Sequence, residues 1–195
     1  MMKRERGPLA ALILVGWLLP VSGGLAATVD KTSDSSAIIT IPVTLINQQN
    51  TCKVSFEGTS VSGGTYTFRE ILLKGQTQNN HPSFRAVVTC EENSEVKTAL
   101  TLRPAGNFQA SNNRAGLHPV GDLSVTSGEL WLTLTDGSTV PMGSNAGDTS
   151  LTAFCEGTTS DTVRNVCELK PVTSILPTAP GGPVSTTLTF DVVYP

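Results

Sequence analysis

Aromatic residues make up only 5% of this 195-residue chain and charged residues only 15%. Histidine occurs twice, as His81 and His118, each alone in a polar stretch and expected to be solvated there. No GxSxG, HExxH or P-loop pattern is present, so no nucleophile elbow, zinc-bound water or phosphate cradle is spelled out. No CxxC spacing occurs and no histidine lies near a cysteine, which removes the usual zinc sites. Helical periodicity is absent over any long window, which removes a helix bundle. Asp122, Asp136 and Asp148 sit beside glycine or in polar loops, the place for turn chemistry rather than for paired catalytic carboxylates. The expectation is a protein that is not an enzyme and holds neither metal nor cofactor.

Basic residues are also scarce once the first residues are set aside. Lys3, Arg4 and Arg6 precede an apolar run from Leu9 to Leu19, closed by Pro20, with Gly24 and Ala26 as small residues before a cleavage point. This reads as a secretory signal peptide over 1–26. The run is short of the roughly 20 residues a membrane span needs, and no later stretch approaches that length. Removing Lys3, Arg4, Arg6 and Glu5 leaves 10 basic and 15 acidic residues, a net charge near −5. No basic cluster survives, so a nucleic-acid partner is not expected.

What is present is cysteine in an even number and strands in quantity. Cys52, Cys90, Cys155 and Cys167 in an exported chain read as two disulfides. Of the three connectivities, the sequential one, Cys52 with Cys90 and Cys155 with Cys167, is the most local. The last stretch, Thr186 to Pro195, alternates: Leu188, Phe190, Val192 and Tyr194 on one face, Thr187, Thr189 and Asp191 on the other. That is the pattern of a half-buried strand, and a strand so close to a chain end needs a pairing partner to stay ordered. Near the other end, Ile39, Ile41, Val43 and Leu45 alternate with Thr40, Pro42 and Thr44. Pro42 suits an edge better than the centre of a sheet.

Further strands are expected at Cys52–Phe56, Phe84–Cys90, Val96–Leu102 and Gly128–Thr135, with shorter pieces at Tyr66–Phe68, Ile71–Leu73 and Val166–Val172. Asp136-Gly137 is a hairpin turn. Phe108 to Ser124 reads as mostly loop with a turn at Asn112-Asn113. Leu151, Ala153 and Cys155 read as an inward face. Trp131 is expected to pack on a second sheet or on the loop after Gly143, with ligand stacking as the rival role. Short strands punctuated by turns point to an antiparallel β-sandwich.

In these features the chain resembles the pilin subunits that Gram-negative bacteria assemble by the periplasmic chaperone–usher pathway. Tyr194 is penultimate and Gly182 is fourteenth from the end, as in that family. Cys52 and Cys90 are spaced like its disulfide, the segment with Ile39, Ile41, Val43 and Leu45 stands where its N-terminal extension stands, and Leu130 to Gly137 matches its apolar strand and Asp-Gly turn. The family carries a glycine in the extension, and none occurs here between Ala37 and Cys52. The second cysteine pair is untypical of major pilins and suggests a minor or adaptor subunit.

The resemblance implies an immunoglobulin-like sandwich lacking its final strand, over 48–195, preceded by a donor-strand extension over 27–47. It implies that Ile39, Ile41, Val43 and Leu45 insert into a neighbouring subunit. Gly182, Leu188, Phe190, Val192 and Tyr194 would then form the C-terminal strand that flanks the groove and meets the chaperone. The implied partners are a periplasmic chaperone, an outer-membrane usher and other pilin subunits, with no membrane span in the mature chain. The implied location is a fimbrium on the cell surface, reached through the periplasm and serving adhesion. The rival readings are a single-domain fimbrial adhesin and an unrelated exported carbohydrate-binding β-sandwich.

Overall fold

The structure is a computed structural model, and it describes residues 36–37, 39–45, 52–90, 96–158 and 164–195, the first two stretches by their backbone. The expected signal peptide, the polar start of the extension, the polar break at 48–50 and the charged turn at 91–95 lie outside the described residues.

Described residues form strands and connecting loops, with no helix among them. The first half supplies β1 (Ser36–Ala37), β2 (Ile39–Leu45), β3 (Cys52–Glu57), β4 (Val61–Ser62) and β5 (Thr65–Thr67). Then come β6 (Leu72–Leu73), β7 (Thr77–Gln78), β8 (Phe84–Cys90) and β9 (Ala99–Pro104). The second half supplies β10 (Ala110–Ser111), β11 (Arg114–Pro119), β12 (Gly128–Thr133), β13 (Arg164–Ile175), β14 (Val184–Ser185) and β15 (Leu188–Val193). The sequence makes strands where β-branched and apolar residues recur at period two. In β12, for example, Leu130 and Leu132 are buried while Glu129, Trp131 and Thr133 are partly open.

The main path of pairing runs β3-β8-β13-β12-β11-β14-β2-β15-β9. Two strands bend it by changing partner. β13 pairs with β8 from Arg164 to Leu169 and with β12 from Lys170 to Ile175. β11 pairs with β12 at Ala115–Leu117 and with β14 at His118–Pro119. The sheet therefore curls around one core. Phe56 of β3, at one end of the path, meets Phe190 of β15, near the other, with ring centroids 5.1 Å apart.

Both disulfides take the sequential pairing, Cys52–Cys90 and Cys155–Cys167. Cys52 stands directly opposite Cys90 in the β3–β8 ladder. The second bridge ties the loop after Phe154 to β13. Asn165, next to it and 8% exposed, donates from Nδ2 to the Cys155 carbonyl at 2.8 Å and the Thr98 carbonyl at 3.1 Å.

Some sequence expectations are corrected. Phe108 to Ser124 contains β10 and β11 as a hairpin rather than mostly loop. Asn112 and Asn113 take left-handed φ of 52° and 61°, the conformation a two-residue hairpin turn requires. The strand expected at 96–102 begins at Ala99 and runs to Pro104. In the 151–155 stretch the buried residue is Phe154, not its alternating neighbours. Phe154 exchanges two backbone hydrogen bonds with Leu100, at 2.8 and 2.9 Å, and that pairing sets the phase. His81 is 2% exposed rather than solvated, because loop 79–83 folds back on β13.

Candidate functional site

The C-terminal strand is turned into place by its leading glycine. Gly182 has φ +119°, a conformation glycine adopts without strain, and the Val120 N–H donates to the neighbouring Pro183 carbonyl at 3.1 Å. From there Val184, Leu188 and Phe190 are buried, while Val192 and Tyr194 pack partly buried against the core. Thr189 is buried as well, under the opposite face. One edge of β15 pairs antiparallel with β9, from Leu188↔Pro104 to Val193↔Ala99.

The other edge is taken by β2, in parallel. Ile39 and Thr40 stand opposite Val184 and Ser185, and Val43, Thr44 and Leu45 opposite Leu188, Thr189 and Phe190. Pro42, which has no N–H to give, stands at the break between these two ladders. The far edge of β2 pairs antiparallel with β5, Thr40↔Thr67, Ile41↔Tyr66 and Pro42↔Thr65. The position that suits an edge is thus flanked on both sides, and the adjustment is the gap in the parallel ladder.

Positions 39, 43 and 45 are in register with the buried Val184, Leu188 and Phe190, and position 41 with the buried Tyr66. Directly paired residues share a face of a sheet. Tyr66 and Phe190 are also the two ends of a run of ring contacts. Phe190 meets Phe56, Phe56 meets Phe84 at 6.0 Å, and Phe84 meets Tyr66 at 5.5 Å. The Tyr66 hydroxyl donates to the Pro82 carbonyl at 2.7 Å, and burial pushes its pKa up to about 12. An aromatic floor with two walls, the C-terminal strand and β5, is therefore what β2 lies across. The sequence points to the C-terminal wall by its alternation. It marks β5, a three-residue strand after a glycine-rich turn, only as part of the short piece expected at Tyr66–Phe68.

On the outer face of the C-terminal strand, Arg103 Nε meets Asp191 at 3.0 Å and the guanidinium also donates to the Ala146 carbonyl. This pair ties β9, β15 and the 144–148 loop together without entering the floor.

The remaining candidates stand apart from this groove. Trp131 is on the outer face of β12, half-buried, with the Arg114 guanidinium 4.3 Å from its ring centroid. Arg114 thus gives Trp131 a cation–π partner, a contact the sequence did not point to. Arg114 reaches it from one residue beyond the Ala115↔Leu130 pair and also meets Glu129 at 3.1 Å. His118 Nδ1 lies 2.9 Å from the Val125 carbonyl. Asp122, Asp136 and Asp148 each accept from serines of their own loops, which holds their carboxyls below the usual range. Among the described residues no three His, Cys, Asp or Glu side chains gather as a metal site, and no helix is long and apolar enough to cross a membrane. No protein-family model matches this chain, and no curated protein matches it.

Proposed function

We propose that this chain is a structural or adaptor subunit of a bacterial surface fimbria, of the chaperone–usher type, and that subunits join by exchanging the segment that includes β2. The core is then an immunoglobulin-like sandwich short of one strand. The observation that carries this reading is the insertion of β2 between the C-terminal strand and β5. Without it both walls would present unpaired edges over an aromatic floor, and an open apolar edge invites a strand from elsewhere. Four apolar register positions at roughly 1.5–3 kcal/mol each would contribute about 6–12 kcal/mol, comparable to the net stability of a domain. The segment joins the body through residues 46–51. Six residues span up to about 20 Å, enough slack for the strand to leave its own groove for that of an adjacent copy. For such an open groove the resemblance implies a periplasmic chaperone and an outer-membrane usher as partners before the neighbour arrives, and adhesion as the role of the finished fibre.

The test is deletion of residues 37–47 from the chain that starts at Ala27, followed by addition of those residues as a peptide. The deleted chain is expected to aggregate or to unfold without a cooperative transition. The peptide should restore a sharp urea transition, and a peptide carrying Ile41→Asp and Val43→Asp should not. A deleted chain that is a cooperative, stable monomer indifferent to the peptide overturns the reading.

A further inference from the structure

The outer face of β13 carries an open depression of about 610 Å³, within the range of small-molecule sites. Its origin is topological. β13 gives one edge to β8 as far as Leu169 and the other to β12 from Lys170 onward. Where the partners change, loop 79–83 stands on one side and the Thr133–Gly137 turn on the other, with Glu168, Lys170 and Val172 between them.

The polar groups there are open to solvent. Among the described residues the Lys170 ammonium, the Asn79 amide and the Thr135 hydroxyl have no hydrogen-bond or ionic partner, whereas Glu168 accepts one bond, from Ser83 at 2.8 Å. His81 borders the same depression at 2% exposure. Its Nε2 is 2.9 Å from Thr173 Oγ1, and its Nδ1 is buried with no partner among the described residues. A buried polar nitrogen without a partner is costly, but this one has no surface open to the depression, so the exposed groups are the ones that can meet a ligand. Donors and acceptors are interleaved, and the one cation is balanced by the one anion. A phosphate or a metal ion would therefore find no net charge to hold it. A ligand with many hydroxyls, each both donor and acceptor, matches the set. Leu134 and Val172 add a small apolar surface.

We infer that this depression binds a short neutral oligosaccharide, held by Asn79, Thr135, Glu168 and Lys170. The inference is independent of strand exchange, since the depression involves neither β2 nor the C-terminal strand. The test uses the full chain from Ala27 on a printed array of neutral and acidic oligosaccharides, with inorganic phosphate as a competitor. Neutral glycans should be retained, and the Glu168→Gln/Lys170→Met variant should lose at least tenfold in signal at an unchanged urea midpoint. Should that variant not fold, Asn79→Ala, at an exposed loop position, is read in the same way with the same expected loss. Retention of no neutral glycan, retention of acidic glycans alone with displacement by phosphate, or undiminished binding by a folded variant each overturns the inference.

Discussion

Asn165 shows how much one side chain can hold. Its amide donates to the carbonyls of both Thr98 and Cys155, joining the start of β9, the disulfide loop and β13. Asn165→Asp keeps the shape and removes the donor, setting a carboxylate against two carbonyl oxygens. The expected loss is about 3 kcal/mol, read as a lower urea midpoint, with Asn165→Ala losing less. His81 gives a pH dependence. Burial disfavours its charged form; Glu70 opposes that and Lys170 adds to it, and the result is a pKa below the ordinary 6.5. The unfolded chain therefore takes up a proton near pH 6.5 that the folded chain refuses. Stability should fall as pH drops below about 6.5 and level off once the folded histidine also titrates. Urea midpoints between pH 7.5 and 5 measure this, and His81→Gln should flatten the slope.

At the scale of elements, β12 and β13 meet unusually closely at one point. A Cβ on Gly128 would lie 2.3 Å from the Ser174 carbonyl oxygen, and that oxygen is backbone. Gly128→Ala is expected to cost about 2–3 kcal/mol, visible as faster amide exchange along both strands. The same elements mark how far the sequence could be read. β8, β12 and β15 follow from alternation in the sequence; β12 buries one face alone, whereas β8 and β15 each also bury a residue of the second face, Val87 and Thr189. β11 does not, because Gly116, His118 and Pro119 break its pattern and its strand character comes from partners on two sides. β13 is legible only in part. Val172 and Thr173 are both buried in succession, since the strand has core beneath it and Trp131 beside it. The groove divides in the same manner: its C-terminal wall is written in local alternation, and β5 becomes a wall only through the pairing of residues far apart in the chain. The pocketing of His81 and the cation–π cover on Trp131 depend on registers between strands, which no single stretch encodes.

For the molecule as a whole, the two disulfides close loops of different length. The Cys52–Cys90 separation is 38 residues and the Cys155–Cys167 separation is 12. By loop-closure entropy the first should contribute about 4 kcal/mol and the second about 3 kcal/mol. Paired alanine variants of each bridge are therefore expected to lower the thermal midpoint, the first by more. Equal effects, or a larger one for the second bridge, would mean that the loop around Cys155 has a role in the native state beyond closing a short ring.

The pairing of β2 with the C-terminal strand also sets a timetable. Ile39 and Val184 are register partners 145 positions apart. A ribosome adding 5–20 residues per second needs on the order of 10 s to travel from one to the other. Throughout that interval β2 exists without its principal neighbour, while β5, its other one, is made soon after it. The order of birth thus gives every new molecule a period in which β2 can be claimed by something else.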